Sequence, residues 1–252
     1  MLATHLCGNR LLDARSDRDR ERMYPGLQVR SMQRDDLSHQ RGAIFGHVDF
    51  PIDAVLSVVV TFLNGDVCEV GTVGCEGFLE ADAVLDVDYA RRTSYCQVAG
   101  RIVRMPLATF RSEMRSSAPF ARTVRRNVSA RLFTSEVLTA CNLKHALIER
   151  CARWMLMTRD RVGRNEFPLT HDLLSIMLGV RRAGVSMAAA SLQQQGAISY
   201  RRGNVTVRDD ALLRAAACEC YEASKDAYAW SLRDDDVEID VPPNEDRILR
   251  RG

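Results

Sequence analysis

The sequence is poor in long apolar runs and in catalytic motifs. No run approaches the roughly 18 residues that a membrane-spanning helix needs, and no secretory apolar region precedes the cysteines. A G-x-S-x-G turn, a P-loop, an H-E-x-x-H helix and a well-placed carboxylate pair are all missing. We therefore expect neither a membrane protein nor an enzyme.

Net charge is also small, at +2 for 252 residues. A chain with this balance has no overall attraction for polyanions, so an anionic partner must meet a local basic patch. Residues 144–228 have 13 Lys and Arg against 9 Asp and Glu, whereas residues 229–252 have 4 against 7. The patch is therefore predicted in 144–228, and the acidic segment 229–252 is predicted to be a disordered tail.

Cysteine is scattered along the chain and forms no compact motif. The eight residues are Cys7, Cys68, Cys75, Cys96, Cys141, Cys151, Cys218 and Cys220. Most lie in apolar runs, so we expect buried, reduced thiols and a cytoplasmic protein. Only Cys218-Glu219-Cys220 is closely spaced, and without a second ligand pair it predicts a structural role and no metal site.

The first part of the chain changes from polar to β-rich. Residues 1–34 are charge-dense and are expected to form a helical lead-in. Residues 35–117 are rich in Val, Thr and Gly, and Asn64-Gly65 between two β-branched runs is typical of a hairpin, because both turn positions tolerate positive φ. A further strand is predicted at 98–105, interrupted by Gly100. This pattern favours an antiparallel roll or barrel.

One long helix is predicted at 118–143. Between Pro119 and Asn142 there is neither Gly nor Pro, and apolar residues recur at steps of three or four. A long helix with one narrow apolar seam more often packs against a partner helix than on a core. We therefore predict a homodimer interface formed by Val124, Val128, Leu132 and Leu138.

Residues 144–228 are predicted to form a winged helix. A helix at about 144–160 is followed by Thr170, a candidate N-cap, and by Gly179, a candidate left-handed helix end. Two short helices joined by such a glycine turn make a helix-turn-helix. Two β segments hinged at Gly203-Asn204 would add the wing.

The two arginine pairs take defined places on this frame. Arg181 and Arg182 would lie at the N-terminal end of the second helix, the end that reaches base edges in a major groove. The small residues Ala183, Gly184, Ser186 and Ala190 on the outer face would let that helix approach DNA closely. In the wing, where phosphates would pass, the candidate contacts are Arg201 and Arg202.

Residues 167–207, "FPLTHDLLSIMLGVRRAGVSMAAASLQQQGAISYRRGNVTV", with "LLRAAACECY" after them, resemble the DNA-binding domain of Crp/Fnr-type bacterial transcription regulators. The resemblance extends upstream through "ACNLKHALIERCARWMLMTRDRVG" and, more loosely, through "NGDVCEVGTVGCEGF", over about 35–228 in all. It implies an α+β fold: an N-terminal antiparallel β-roll of the cyclic-nucleotide-binding type, a long dimerisation helix and a C-terminal winged helix-turn-helix.

The resemblance also implies roles for single residues. Arg182 matches a position that contacts guanine, and Thr170 and Arg181 match phosphate contacts. Ala183 and Met187 stand where the cyclic-AMP-binding members have a glutamate and a second arginine, so a different operator is implied. Met187 offers apolar contact, for instance with a thymine methyl.

An effector pocket is implied in the roll, where this fold holds the ribose, the cyclic phosphate and the base. The matching residues are Gly74, Glu76, Arg92, Thr93, Thr134 and Ser135, with Glu76 displaced by one position and a longer segment before Arg92. Three expectations stay open: a cyclic nucleotide, another small effector, or no ligand. An iron–sulfur cluster is not expected, because Cys7 is the only cysteine near the start, and haem would need His39 or His47.

Together these features predict a sequence-specific regulator that binds double-stranded DNA as a homodimer, with RNA polymerase as a candidate partner and no membrane. The alternative is an effector-binding or protein-interaction module that has lost operator recognition. Ala183, Gly184 and Met187 suggest that alternative, because none of them hydrogen-bonds a base through its side chain.

Overall fold

The structure, a computed structural model, describes residues 8–233. Cys7 and most of the acidic segment predicted to be disordered, 234–252, lie outside that range. The segment 229–231 of the predicted tail is helical, because it ends the last helix.

Two antiparallel sheets form the N-terminal domain, which confirms the predicted roll. The first has the order β1-β7-β3, and its strands are β1 (Gln28–Met32), β7 (Gly100–Pro106) and β3 (His47–Pro51). The second has the order β2-β6-β4-β5, and its strands are β2 (Leu37–His39), β6 (Thr93–Val98), β4 (Val55–Thr61) and β5 (Val67–Val73).

The core of the roll is aromatic. Phe50 and Phe78 stack with ring centroids 5.6 Å apart, and Phe110 lies 5.8 Å from Phe78. Phe110 belongs to α3 (Leu107–Ser116) and meets Phe120 of the next helix edge-on at 5.9 Å. These four rings are buried, so they attach the helices that follow the roll to its interior.

Two turns of the roll refine the sequence predictions. The predicted hairpin is present between β4 and β5, with a five-residue loop, and Gly65 has φ +87°. The predicted strand 98–105 spans two strands, because β6 ends at Val98 in the second sheet and β7 begins at Gly100 in the first. A Cβ at Gly100 would collide with the backbone of Ala54, so glycine permits this close approach.

The predicted lead-in 1–34 is only partly helical. It holds α1 (Arg10–Asp13) and α2 (Asp17–Met23), but β1 already pairs with β7 from Gln28 onward. Asn9 caps α1, and its buried amide donates to the carbonyls of Pro51 and Gly77 at 2.8 Å each. The lead-in is therefore anchored to the roll, which begins earlier than residue 35.

The long helix α4 spans Ala118–Lys144. One face packs on the roll, and another packs along α9 (Cys220–Ser231), where the Arg126 guanidinium lies 5.1 Å from the centre of the Trp230 ring. Val124 is fully buried in the roll's own core. The prediction that Val124 faces a partner subunit is therefore wrong, because this side chain is already covered within one chain.

The winged helix follows α4. Its elements are α5 (Leu147–Val162), β8 (Glu166–Pro168), α6 (His171–Leu178), α7 (Arg182–Gln194), β9 (Ile198–Arg201), β10 (Asn204–Val207) and α8 (Asp210–Ala216). Their core is one apolar cluster that includes Met155, Leu174, Val185, Leu192 and Val205. β8, which the sequence pattern did not reveal, adds a third strand beside β10.

No single helix in residues 8–233 is long and apolar enough to cross a membrane. Only α6 and α7 counted together reach that length and composition, and they meet at a 110° break.

Candidate DNA-binding surface and effector cavity

The helix-turn-helix is formed by α6 and α7, which meet at 110°. Thr170 caps α6, because its hydroxyl accepts from the Leu173 amide at 3.1 Å, and Gly179 ends α6 with φ +62°. Arg181 is the N-cap of α7 and Arg182 its first residue. The predicted cap, turn and helix start are confirmed, and they leave the N-terminus of α7 at the surface.

Arg182 is exposed but not unpartnered. Its Nε lies 2.9 Å from Asp172 Oδ1, with 66% of one side chain and 69% of the other exposed. A pair this exposed is weak, since water and salt screen it. Arg182 can therefore exchange Asp172 for a stronger acceptor pair such as the O6 and N7 of guanine.

The remaining candidate DNA contacts on or next to α6 and α7 differ in their exposure and in their hydrogen bonds. Ala183 and Met187 are exposed, the latter to 75%. Ser186 is half-buried, and its hydroxyl lies 2.9 Å from His171 Nδ1. The hydroxyl of Thr170 is committed to the α6 cap.

Gly184, which we expected on the outer face, lies on the inner side of α7. A Cβ there would approach Leu147 to 2.9 Å. The lack of a side chain at Gly184 therefore allows α7 to pack closely against α5.

The wing presents the second arginine pair. β9 and β10 pair with Arg201 opposite Asn204, so the turn residues are Arg202 (φ +50°) and Gly203 (φ +78°), one position earlier than predicted. Two successive positive φ angles are those of a type I′ turn, which matches the twist of the strands. Arg201 and Arg202 are both exposed.

A cavity of about 390 Å³ lies between the roll and α4. Of the predicted effector residues, Arg92, Thr134 and Ser135 line it, together with Thr72, Asp82 and Arg131. Arg92 donates to Asp82 at 2.8 Å. Within residues 8–233, Arg131 Nη1 and the nearby Ser94 hydroxyl are buried without a hydrogen-bond partner, and burial lowers the pKa of Arg131. Such polar atoms suit a polar or anionic ligand.

The other three predicted effector residues are not brought to this cavity. Glu76 is buried in an ion pair with Arg161 of α5, whose Nε donates at 2.8 Å. A Cβ at Gly74 would collide with the Arg161 side chain, and Thr93 accepts from the Arg41 amide. The ribose-binding role expected for Gly74 and Glu76 is therefore wrong for this arrangement, because Arg161 occupies the space beside them.

The two histidines considered for haem lie side by side. The rings of His39 and His47 are 4.5 Å apart, and His39 also meets Phe45 and pairs with Glu80 at 3.2 Å. Burial lowers the pKa of His47 to about 4. Both rings thus pack against other side chains of the roll.

The remaining dimer candidates are divided between faces of α4. Val128 packs against the core of the roll, Leu138 is half-buried at the cavity, and Leu132 is 62% exposed. Phe133 and Leu143 are further exposed apolar residues on this helix. The exposed apolar residues of α4 therefore lie in its C-terminal half, from Leu132 onward, and Leu132 is the only member of the predicted seam among them.

Two groups escaped the sequence analysis because they assemble from distant segments. Glu69 of β5 accepts from Ser57, from Gln97 and from Trp154 of α5, and burial raises its pKa to about 7. Cys141 and His145, at the end of α4, meet Cys218 and Cys220. The spacing of Cys141 and His145, one helical turn, was the feature that could have revealed the second group.

Comparison with family models gives one match. The Crp-like helix-turn-helix domain matches residues 149–216, the segment from α5 to α8. No curated protein sequence matches the chain.

Solved structures share the architecture over most of the chain. FixK2 from Bradyrhizobium japonicum has a TM-score of 0.62 at 14% identity, over 76% of this chain and 98% of its own. A Crp/Fnr-family transcriptional regulator from Thermus thermophilus has a TM-score of 0.60 at 16% identity, over 75% and 98%. The c-di-GMP-responsive global regulator CLP from Xanthomonas campestris has 0.58 at 13% identity, over 75% and 97%. At these identities the likeness shows the fold.

Proposed function

We propose that this chain, which has the Crp/Fnr regulator fold and a Crp-like helix-turn-helix domain at 149–216, is a non-enzymatic transcription regulator. It binds a specific DNA sequence. The observation that supports this most is the pair of exposed arginines at the N-terminus of α7, beside a second exposed pair in the wing. In this proposal Arg182 reads a base, and Arg201 and Arg202 hold phosphates.

We propose that the regulator acts as a homodimer. One winged helix contacts few base pairs, so a second half-site about one helical turn away raises the specificity. The exposed apolar residues of α4, Leu132 and Phe133, are available for a second copy. RNA polymerase remains a candidate partner that the fold family suggests.

We propose that the cavity between the roll and α4 binds a small polar effector. The unpartnered Arg131 and Ser94 atoms support an anionic ligand, whereas the Glu76–Arg161 pair argues against the family's ribose contact. Free thiols among the described cysteines fit a reducing compartment such as the cytoplasm.

The test is selection of bound fragments from the genomic DNA of the source bacterium by the purified full-length protein. We expect one enriched sequence with two related half-sites about 10 base pairs apart. Binding should weaken steeply with salt, because arginines release counterions from phosphates. No enriched sequence together with a flat salt dependence would favour a protein-interaction module instead.

A further inference from the structure

Four side chains from three separate segments meet at the junction of α4 and α9. Cys141 and His145 are one helical turn apart at the end of α4, Cys218 lies in the loop before α9, and Cys220 begins α9. Their ligand atoms all lie within 4.8 Å of one another. Cys141, Cys218 and Cys220 are buried, with exposures of 0%, 5% and 7%.

Two of the separations are close to those around a single tetrahedral ion. The Cys141 and Cys218 sulfurs are 3.5 Å apart, and Cys220 Sγ is 3.5 Å from His145 Nδ1. A zinc ion with Zn–S near 2.3 Å and Zn–N near 2.0 Å holds sulfurs about 3.8 Å apart and a sulfur and nitrogen about 3.5 Å apart. Iron–sulfur clusters bind cysteines through different irons, so their ligands are further apart than these.

The surroundings match those of a metal-bound histidine. His145 Nε2 lies 3.2 Å from Glu219 Oε1, and the other ring nitrogen, Nδ1, faces the sulfurs. A carboxylate that accepts from the outer nitrogen holds a ligating histidine in the correct tautomer and orientation.

The charge around the cluster is also suitable. A zinc ion with three thiolates and one imidazole has a net charge of −1. The buried Arg153 of α5 acts electrostatically on Cys141 and Cys218, and within residues 8–233 it forms no ion pair with a carboxylate.

We propose that Cys141, His145, Cys218 and Cys220 bind one zinc ion through Cys₃His coordination. Three soft thiolates and one imidazole in tetrahedral geometry favour zinc over the oxygen-preferring Mg²⁺ and Ca²⁺. All four positions are filled by protein, so the ion is structural. It fastens α9, and through it the winged helix, to the end of α4.

The site lies where α4 passes into α5, since only two residues separate these helices. An ion here holds the orientation between the long helix and the DNA-binding domain. The bridge joins residues 141 and 218 across the whole winged helix, so it also closes a long loop, which stabilises the folded state.

The first measurement is the zinc content of the full-length protein, purified with a thiol reductant from zinc-supplemented cells. We expect about one zinc per chain by mass spectrometry of the metals. Cys218→Ser, Cys220→Ser and His145→Ala should each lose most of it. The matched controls Cys68→Ser and Cys151→Ala, which remove cysteines outside the cluster, should keep it.

The second measurement replaces zinc by Co²⁺ in the wild-type protein. Its result therefore does not depend on whether the ligand variants fold. A tetrahedral thiolate site gives strong visible d–d bands and a thiolate-to-cobalt charge-transfer band. Glu219→Gln should still give that spectrum, with a zinc affinity lower by about 10-fold because the outer histidine contact is weakened.

Three results would overturn the proposal. The wild-type protein could contain no zinc and show an octahedral cobalt spectrum. The ligand variants could keep as much zinc as the two controls. A metal-free protein that instead forms a Cys141–Cys218 disulfide under mild oxidation would identify the cluster as a redox pair.

Discussion

Arg161 of α5 donates to Glu76 of the roll at 2.8 Å, and both side chains are more than nine-tenths buried. Arg161 also donates to Thr72, so one arginine joins the DNA-binding domain to two segments of the roll. Coulombic attraction from Glu76 opposes the effect of burial, so the pKa of Arg161 stays raised. This pair takes the place of a ligand contact in the roll and couples the two domains.

Glu76→Ala should destabilise the protein by about 3–5 kcal/mol, because it leaves the Arg161 charge buried without a partner. Urea unfolding measures this change. Asp17→Asn is the control, since Asp17 pairs with Arg20 at the surface with 90% of its side chain exposed, and it should leave the midpoint unchanged. Equal effects of the two substitutions would mean that the buried pair does not hold the domains together.

Arg182→Ala should weaken binding to the selected sequence by about 1–3 kcal/mol and binding to random DNA very little, because a base contact is lost. Asp172→Asn is the companion variant. It removes the competing carboxylate of the free protein and should tighten specific binding slightly. Fluorescence anisotropy on both DNAs checks the two variants, and an equal loss on both DNAs would make Arg182 a phosphate contact.

Arg201→Ala with Arg202→Ala should weaken specific and random binding alike, because the wing arginines are expected to neutralise phosphates. The slope of log affinity against log salt should shrink by about one or two units. Arg34→Ala with Arg115→Ala removes the same charge from exposed positions on the roll and on α3 and should leave the slope intact. A wing variant with an unchanged slope does not touch DNA through these residues.

Leu132→Asp should convert a dimer into a monomer, because the like charges of two copies would be brought together at the α4 interface. The residue is exposed in one chain, so the monomer should keep its circular dichroism spectrum. Leu63→Asp, at the exposed tip of the β4–β5 loop, is the control. Sedimentation velocity decides the matter, and a Leu132→Asp protein that stays dimeric would place the interface on another surface.

Stability should fall as pH rises through the range between about 4.5 and 7 on account of Glu69. Its pKa is raised by burial to about 7 in the folded state, so in this window the folded chain holds a proton that the unfolded chain has released. Glu69→Gln should remove that slope and stabilise the protein at pH 8 by roughly 1–3 kcal/mol. Unfolding curves at several pH values test this, and parallel pH profiles for the two proteins would show that Glu69 is not desolvated.

Interactions between residues close in sequence were sufficient to predict much of the structure. The hairpin at Asn64-Gly65, the α6 cap at Thr170 and the turn at Gly179 all depend on neighbours a few residues away. The same holds for the exposed arginines of α7 and the wing, whose places depend on the helix and hairpin that contain them. The sequence pattern therefore predicted both the fold and the candidate DNA-binding residues.

What depended on distant segments could be decided only by the tertiary structure. Val124 has the spacing of an interface residue, yet the roll covers it, because burial depends on what packs against a helix and not on periodicity. Glu76 is the residue type expected of a ligand contact, yet it forms a buried ion pair with Arg161, 85 positions later in the chain. Cys218 and Cys220 lacked a second ligand pair until α9 folded back along α4 and brought them to Cys141 and His145.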